Sequence, residues 1–469
     1  MKPFIKLLSD EEVRHIDRES RDILTKVGFI CEDEEAVEIY AKAGASIEGK
    51  NHVRFTEKII DDAIAANVPV AKVYGRNGRE PLEVGGDNVY FGTTGFATNY
   101  LDVEKNEYRP STYQDQVEMM KLCEMLDPPD YMLPSIGITD VEPEYDELYQ
   151  FKAGMLYSTK HIETEALDLK NAAKIIKMAE FMAGGEDKLK EKPFLSFLIT
   201  LTSPLHQRSD ATQLTIFSAK YGIPLFVESG PMGGATAPVT LKDNVAIANA
   251  EILADLALAK MVNPSIPFVY ASWARVLNMK SGLVSVGAPE FGMLRVATTQ
   301  MGKFYNLPTG GGSNVTDSLS LDPQLGAEQM ATSILPALAG INMAQCMGLH
   351  AGMNATCSET LIIANEIANY AKRIARGIDV NMSAEGFDLI SQIGPCHDFL
   401  ATDHTLKNFK KELWTRTIFD CSPVKNEGKH VESGVMENVI KRKSKLLKKY
   451  KQPEAPANAE ETLEKIIRG

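Results

Sequence analysis

The sequence predicts an α/β fold: a (β/α)8 TIM barrel with added N-terminal and C-terminal helices. Between residues 88 and 376, eight apolar or β-rich runs alternate with long amphipathic or alanine-rich stretches. That order is what parallel strands joined by crossover helices require. Glycines and unusual polar side chains gather where the runs end, and no GxGxxG follows a first strand, which disfavours an open doubly wound sheet.

With 469 residues the chain has room for one large barrel with additions, or for two to three ordinary domains. Its 44% hydrophobic and 24% charged content is that of an ordinary globular protein. The formal net charge of −13 argues against nucleic acid or an anionic membrane surface as a partner. Six scattered cysteines without a CxxC pair, an N-terminus that soon reaches charge, and the lack of any apolar run of membrane length predict a cytoplasmic protein with reduced thiols.

Residues 1–87 read as an N-terminal helical layer and lead-in. Ser9 opens a helix with acid in its first turn, and 33–43 and 56–66 each begin on a capping residue. The catalytic domain spans 88–376, with strands expected at 88–91, 131–138, 161–166, 194–201, 223–228, 266–271, 304–308 and 341–348. The expected helices include 112–126, 169–183, 207–221, 242–261, 289–301 and 327–338. Residues 377–450 form a C-terminal helical extension, and 451–469 a linker and terminal helix.

In such a barrel chemistry sits at the C-terminal ends of the strands. Those ends carry Phe96, Glu163, Glu165, Glu228, Trp273, Arg275, Asn314 and His350, and the glycines Gly310, Gly311 and Gly312. No lysine ends a strand, so a Schiff-base mechanism lacks its nucleophile. No HxH, HExxH or aspartate cluster appears, so no metal site is expected.

The glycine run has two readings: a phosphate loop, or a place where side chains are removed so that a planar cofactor can approach. Aromatic faces beside carboxylates suit a quaternary ammonium group, which has no N–H to donate. Phe96 and Trp273 are equally readable as core aromatics, and Glu228 as a structural partner of Arg275 or Arg295. Asn314 and His350 are candidates to hydrogen-bond a substrate carboxylate, or else purely structural. Asp322, before Pro323, reads as a helix cap.

Two segments add a resemblance: GGSNVTDSLSLDPQLGAEQ at 311–329 and GPCHDFLATDHT at 394–405. Both are similar to motifs of the trimethylamine methyltransferase family, and the likeness runs from Leu8 to about Tyr450. Founding members carry pyrrolysine after the Asp-Ser pair, where this sequence has Leu319. The chain therefore resembles the non-pyrrolysine branch, whose members demethylate quaternary amines of betaine type and pass the methyl group to Co(I) of a separate corrinoid protein.

The resemblance implies a substrate such as glycine betaine, proline betaine, carnitine or γ-butyrobetaine. With the strand-end positions of Phe96, Glu228, Trp273, Asn314 and His350 it predicts substrate contacts from these residues and from Leu319, placed by the motif alone, and a corrinoid-facing surface formed by Gly310, Gly311, Gly312 and by His397 and His404 of the second motif. The corrinoid belongs to the partner protein, and this chain supplies orientation and desolvation rather than a catalytic acid or base. A homo-oligomer is expected from the apolar helix surfaces. Two alternatives stay open: a barrel acting on a phosphorylated ligand at Gly310–Gly312, and a betaine-binding protein without turnover.

Overall fold

The computed structural model describes residues 5–93, 95–380, 386–421 and 434–469. Seven parallel strands form a curled sheet in the order Tyr90–Phe91, Met343–Gln345, Thr309–Gly312, Phe268–Ser272, Leu225–Ser229, Leu195–Leu201 and Ile162–Thr164. Its two edges are linked by a short extended stretch: Tyr131 bridges to Gly92, and Met132 to Ile162, both in parallel. Met132 N donates to the His161 carbonyl at 3.0 Å, and Glu163 N to the Met132 carbonyl at 2.8 Å.

A helix follows each of these strands and the bridging stretch, and together the helices cover the outside of the sheet. They are Tyr113–Met125, Asp146–Tyr157, Leu169–Ala183, Ser209–Tyr221, Leu241–Val262, Pro289–Phe304, Pro323–Ala339 and Ser358–Arg376. Several are capped by a side chain at their start. Thr112, Asp168 and Asp322 each accept a hydrogen bond from an N–H of the first turn, as do Ser9, Asp33 and Thr56 in the N-terminal layer.

The inside of the sheet packs as a separate apolar layer of Tyr131, Leu133, Leu198, Phe226, Val269, Ala271 and Met343. Below it, the hairpin of Val70–Val73 and Leu82–Gly85 closes the N-terminal end of the strands with Ala71, Val73 and Val84. Strand side chains alternate faces, so residues two positions further along share the inner face one step nearer the strand ends. On that rule Thr200, Glu228, Trp273 and Gln345 form the next layer up, and this layer is largely polar.

Four expectations need correction. Residues 131–138 form no strand and pair only through isolated bridges at Tyr131, Met132 and Ile136. Residues 304–308 are not a strand: the helix runs on to Phe304, Asn306 turns at a φ of 55°, and the strand is Thr309–Gly312, the glycine run itself. The N-terminal layer is not wholly helical, because Phe29–Cys31, Ser46–Glu48 and His52–Arg54 form a small sheet that also takes in His206–Gln207. The helix Asp146–Tyr157 carries no signal in the sequence, because residues are buried all round it, Asp146, Glu147, Gln150 and Lys152 included, leaving no apolar stripe to read.

Elsewhere the added helices pack on the helical layer outside the sheet. Lys443 in Val435–Lys449 reaches Glu118 at 3.1 Å and Glu359 at 3.0 Å, and Lys152 meets Glu464 of the terminal helix Ala459–Arg468 at 2.7 Å. One apolar core joins these layers, from Val13 to Ile467.

The glycine strand has a steric cause. A Cβ on Gly310 would stand 2.4 Å from the Phe226 ring, and one on Gly312 would stand 2.7 Å from the Trp273 ring. Gly310→Ala is therefore expected to destabilise the fold by about 1–3 kcal/mol through overpacking. Gly326→Ala, in an open stretch of helix with no atom near the new methyl, is expected to add about 0.5–1 kcal/mol. Urea denaturation of the two variants checks both signs.

Candidate functional site

At the C-terminal ends of the strands the structure opens a cavity of about 350 Å³ beneath the Phe96 ring. Asp146, Glu147, Glu165 and Asp210 line it together with Leu198 and Thr200. Among the described residues no lysine or arginine lines it. Three of the four acids are held. Asp146 accepts from Ile138 N and Gln150 Nε2, both at 2.9 Å, and Glu147 from Leu167 N at 3.1 Å and Asn171 Nδ2 at 2.8 Å. Asp210 is paired with Arg208 at 2.9 Å.

Beside the cavity, on the inner face of the sheet, stand two further carboxylates. Glu163 is fully buried and accepts from Gln345 Nε2 at 3.1 and 3.3 Å. Gln345 in turn accepts from the Trp273 indole N–H at 2.8 Å, so three strands contribute to one directed chain of donors ending on Glu163. Glu228, 8% exposed, accepts from Thr200 Oγ1 at 3.1 Å through Oε1, while its Oε2 is buried without a partner. The Tyr131 hydroxyl is likewise buried and unpartnered.

The electrostatics follow from carboxylates gathered without a direct ion pair. Burial, then the charge of Glu165, pushes Glu228 up to about 8 against the opposing pull of Thr200, Arg275 and Arg295. Solvent reaches Glu165 through the mouth, yet the protein around it removes enough water, with the charge of Glu147, to push it up to about 7. Burial and then Glu228 raise Glu163 well above the usual carboxylate range. The nearby guanidiniums turn to backbone instead, Arg275 to the Trp273 carbonyl at 3.2 Å and Arg295 to that of Ala274 at 2.5 Å.

The residues singled out in the sequence are not all brought together. Phe96, 53% exposed, lines the cavity, and Glu228 is not in the lining but is bonded to Thr200, which is. Trp273 is 6% exposed, packed edge-on against Phe291 below the rim. Asn314 is fully buried, donating to Ser333 Oγ at 2.9 Å, with its Oδ1 unpartnered.

His350 is buried against Thr360 at 3.2 Å and stacked on Tyr108, and burial pushes its imidazole down to about 4. It is therefore neutral at pH 7, with Nε2 unpartnered. Leu319 is 70% exposed on the loop after the glycine strand, and its carbonyl accepts from Tyr108.

Gly310, Gly311 and Gly312 are buried in a strand paired on both sides, so they present no open nest of N–H groups. His397 and His404 lie on the segment after helix Ser358–Arg376. His397 is exposed and bonded to the Pro395 carbonyl at 3.0 Å, and His404 is in the helix Asp403–Glu412, whose Glu412 carbonyl is held by Arg373 and Arg376. Sequence reasoning missed Gln345, Thr200 and Tyr131, whose roles come from pairing across the sheet. A signal was present for Glu163 and Glu165: two acids at alternate positions of a buried strand share the inner face.

Comparison with known proteins identifies the family of the chain. The family model for trimethylamine methyltransferase matches residues 1–468. A trimethylamine methyltransferase of Desulfitobacterium hafniense is 30% identical over 412 residues, covering 87% of this chain and 83% of its own length. A glycine betaine methyltransferase of the same species is 29% identical over 426 residues, covering 90% and 88%. Among solved structures, the monomethylamine methyltransferase of Methanosarcina barkeri superposes with a TM-score of 0.52 at 14% identity, over 78% of this chain and 79% of that one. At that identity the likeness speaks for the α/β fold.

The raised Glu228 carries a pH signature. The folded chain keeps its proton up to about pH 8, whereas an ordinary glutamate sheds it near 4.5, so between these values the folded state binds more protons than the unfolded one. Stability contributed by that proton is present below 4.5 and is lost as pH rises through 8. Thermal melts across this range are expected to show a falling melting temperature in the ligand-free protein, and a flatter profile for Glu228→Gln.

Proposed function

The chain belongs to the trimethylamine methyltransferase family and is a methyltransferase; we propose that it demethylates a quaternary amine of betaine type and passes the methyl group to the Co(I) of a corrinoid carried by a partner protein. The observation that carries this reading is Leu319, an inert side chain at the position where founding members of the family bear pyrrolysine. A tertiary amine needs activation before it can leave, because its departure would produce an amide-like anion. A quaternary nitrogen leaves as a neutral amine and needs none. The glycine betaine methyltransferase relative supports the same branch.

In this reading the curled sheet, linked edge to edge through Tyr131 and Met132, is a (β/α)8 barrel spanning 88–376. The corrinoid's Co(I) supplies the nucleophile for an in-line displacement at an N-methyl carbon, and the bond to nitrogen breaks with its electron pair staying on the amine. The chain's own work is placement. The carboxylates and Phe96 hold the cationic head, the apolar layer beneath excludes water, and the rim offers Phe96, Leu167, Met279, Leu283 and Leu319, all exposed, to a flat macrocycle.

Neutral His350, whose buried Nε2 has no partner and can donate, serves the carboxylate end of the substrate; Asn314 can add to it only through Nδ2, now bonded to Ser333, because its unpartnered Oδ1 is an acceptor. Gly310–Gly312 form a floor that admits the Phe226 and Trp273 rings. His397 and His404 are assigned to the partner-facing surface, and the protein to the cytoplasm as a homo-oligomer.

Anaerobic incubation with Co(I) cobalamin, followed by methyl-Co(III) absorbance over a panel of methylated amines, tests the activity. One betaine is expected to methylate cobalt while trimethylamine does not. Methylation by trimethylamine alone would overturn the assignment to quaternary amines.

A further inference from the structure

Glu165 stands apart among the acids of the cavity. Asp146, Glu147 and Asp210 are each tied to protein donors, while no described group donates to the Glu165 carboxylate, which faces the open cavity. Its neighbours on the sheet give it a counterpart. The strand Leu195–Leu201 lies between the strand that leads to Glu165 and the strand that carries Glu228, and Thr200, which lines the cavity, is in register with Glu228. Glu228 Oε2 is the buried oxygen left without a partner. The two acids thus stand on either side of the strand Leu195–Leu201, Glu228 level with Thr200 and Glu165 just beyond Thr164, which is level with Phe197, while Phe96 lines the same cavity as Glu165.

We propose that Glu165 and Glu228 clamp the ammonium head of the substrate between them, with the Phe96 ring closing the cavity over it. The identity of the head rests on the quaternary-amine reading above. A trimethylammonium group offers no N–H, so it is recognised through diffuse positive charge and ring faces, and this pair of acids with an aromatic lid supplies both. The clamp explains why two acids are gathered where neither Arg275 nor Arg295 forms an ion pair with them, an arrangement that is unfavourable until a cation arrives. It also makes the site select for charge: a neutral tert-butyl group has the same shape and none of the attraction. Glu165, absent from the residues singled out as substrate contacts, becomes the specificity-determining side chain at this end.

Titration calorimetry of the intact chain with tetramethylammonium tests the clamp with the head alone. Glycine betaine against 3,3-dimethylbutanoate compares the charged and neutral forms of one shape. The wild type is expected to bind tetramethylammonium and to prefer betaine over its isostere. Glu165→Gln and Glu228→Gln are each expected to weaken the cation about 10-fold or more and to shrink the preference by the same factor.

Melting temperatures at or above wild type show that the isosteric variants fold. Unchanged affinities and an unchanged preference in both variants would overturn the clamp, as would a wild type that does not bind tetramethylammonium. A clamp that binds cations in a protein that methylates no cobalamin counts against the activity and leaves the clamp standing.

Discussion

Two carboxylates buried on the inner face of a parallel sheet, without a cation to meet them, set the terms for the rest of this structure. Removing an ionised glutamate from water costs several kcal/mol unless it is paired or neutralised, so Glu163 and Glu228 exist only because the surroundings manage their charge. The apolar layer of Leu198, Phe226, Val269 and Met343 keeps water from below, and the hairpin of Val70–Val73 and Leu82–Gly85 seals that end. Above, Gln345 and Thr200 donate to the two acids, and the remaining charge is handled by retained protons. A site poised in this way favours a ligand that brings positive charge.

The loop after the glycine strand shows how the scaffold presents a single side chain. Asp317 accepts from Ser285 Oγ at 2.7 Å and Val286 N at 3.0 Å, and Glu328 accepts from Thr316 Oγ1 at 2.7 Å and Asp317 N at 2.8 Å. Asp322 caps the following helix, and Ser318 Oγ donates back to it at 2.8 Å. Most polar residues of the DSLSLD stretch are therefore occupied in holding its shape. Leu319 projects from that frame into solvent.

The alternation of strands and helices was legible in the sequence largely because several helices carry their own start signal. Ser9, Asp33, Thr56, Thr112, Asp168 and Asp322 all cap where they were expected to, or one residue ahead of the expected start. What was not legible depends on contacts between elements. The strand Thr309–Gly312 looks like a loop, since its pairing is set by neighbours and its lack of side chains by the rings of Phe226 and Trp273. Helix Asp146–Tyr157 has no apolar stripe, and it supplies two of the cavity's acids. Phe96, Glu165 and Glu228 all stand out in the sequence by their strand-end positions, whereas the pairing of Glu165 with Glu228 appears only once the strand between them is known.

The most direct measurement of the account places the cation itself. Crystals soaked with arsenobetaine, in which arsenic replaces the quaternary nitrogen, give an anomalous signal at the onium centre. The account expects the arsenic peak between the Glu165 and Glu228 carboxylates, under Phe96 and beside Thr200. A peak beside His350, or only on the outer surface, would contradict it.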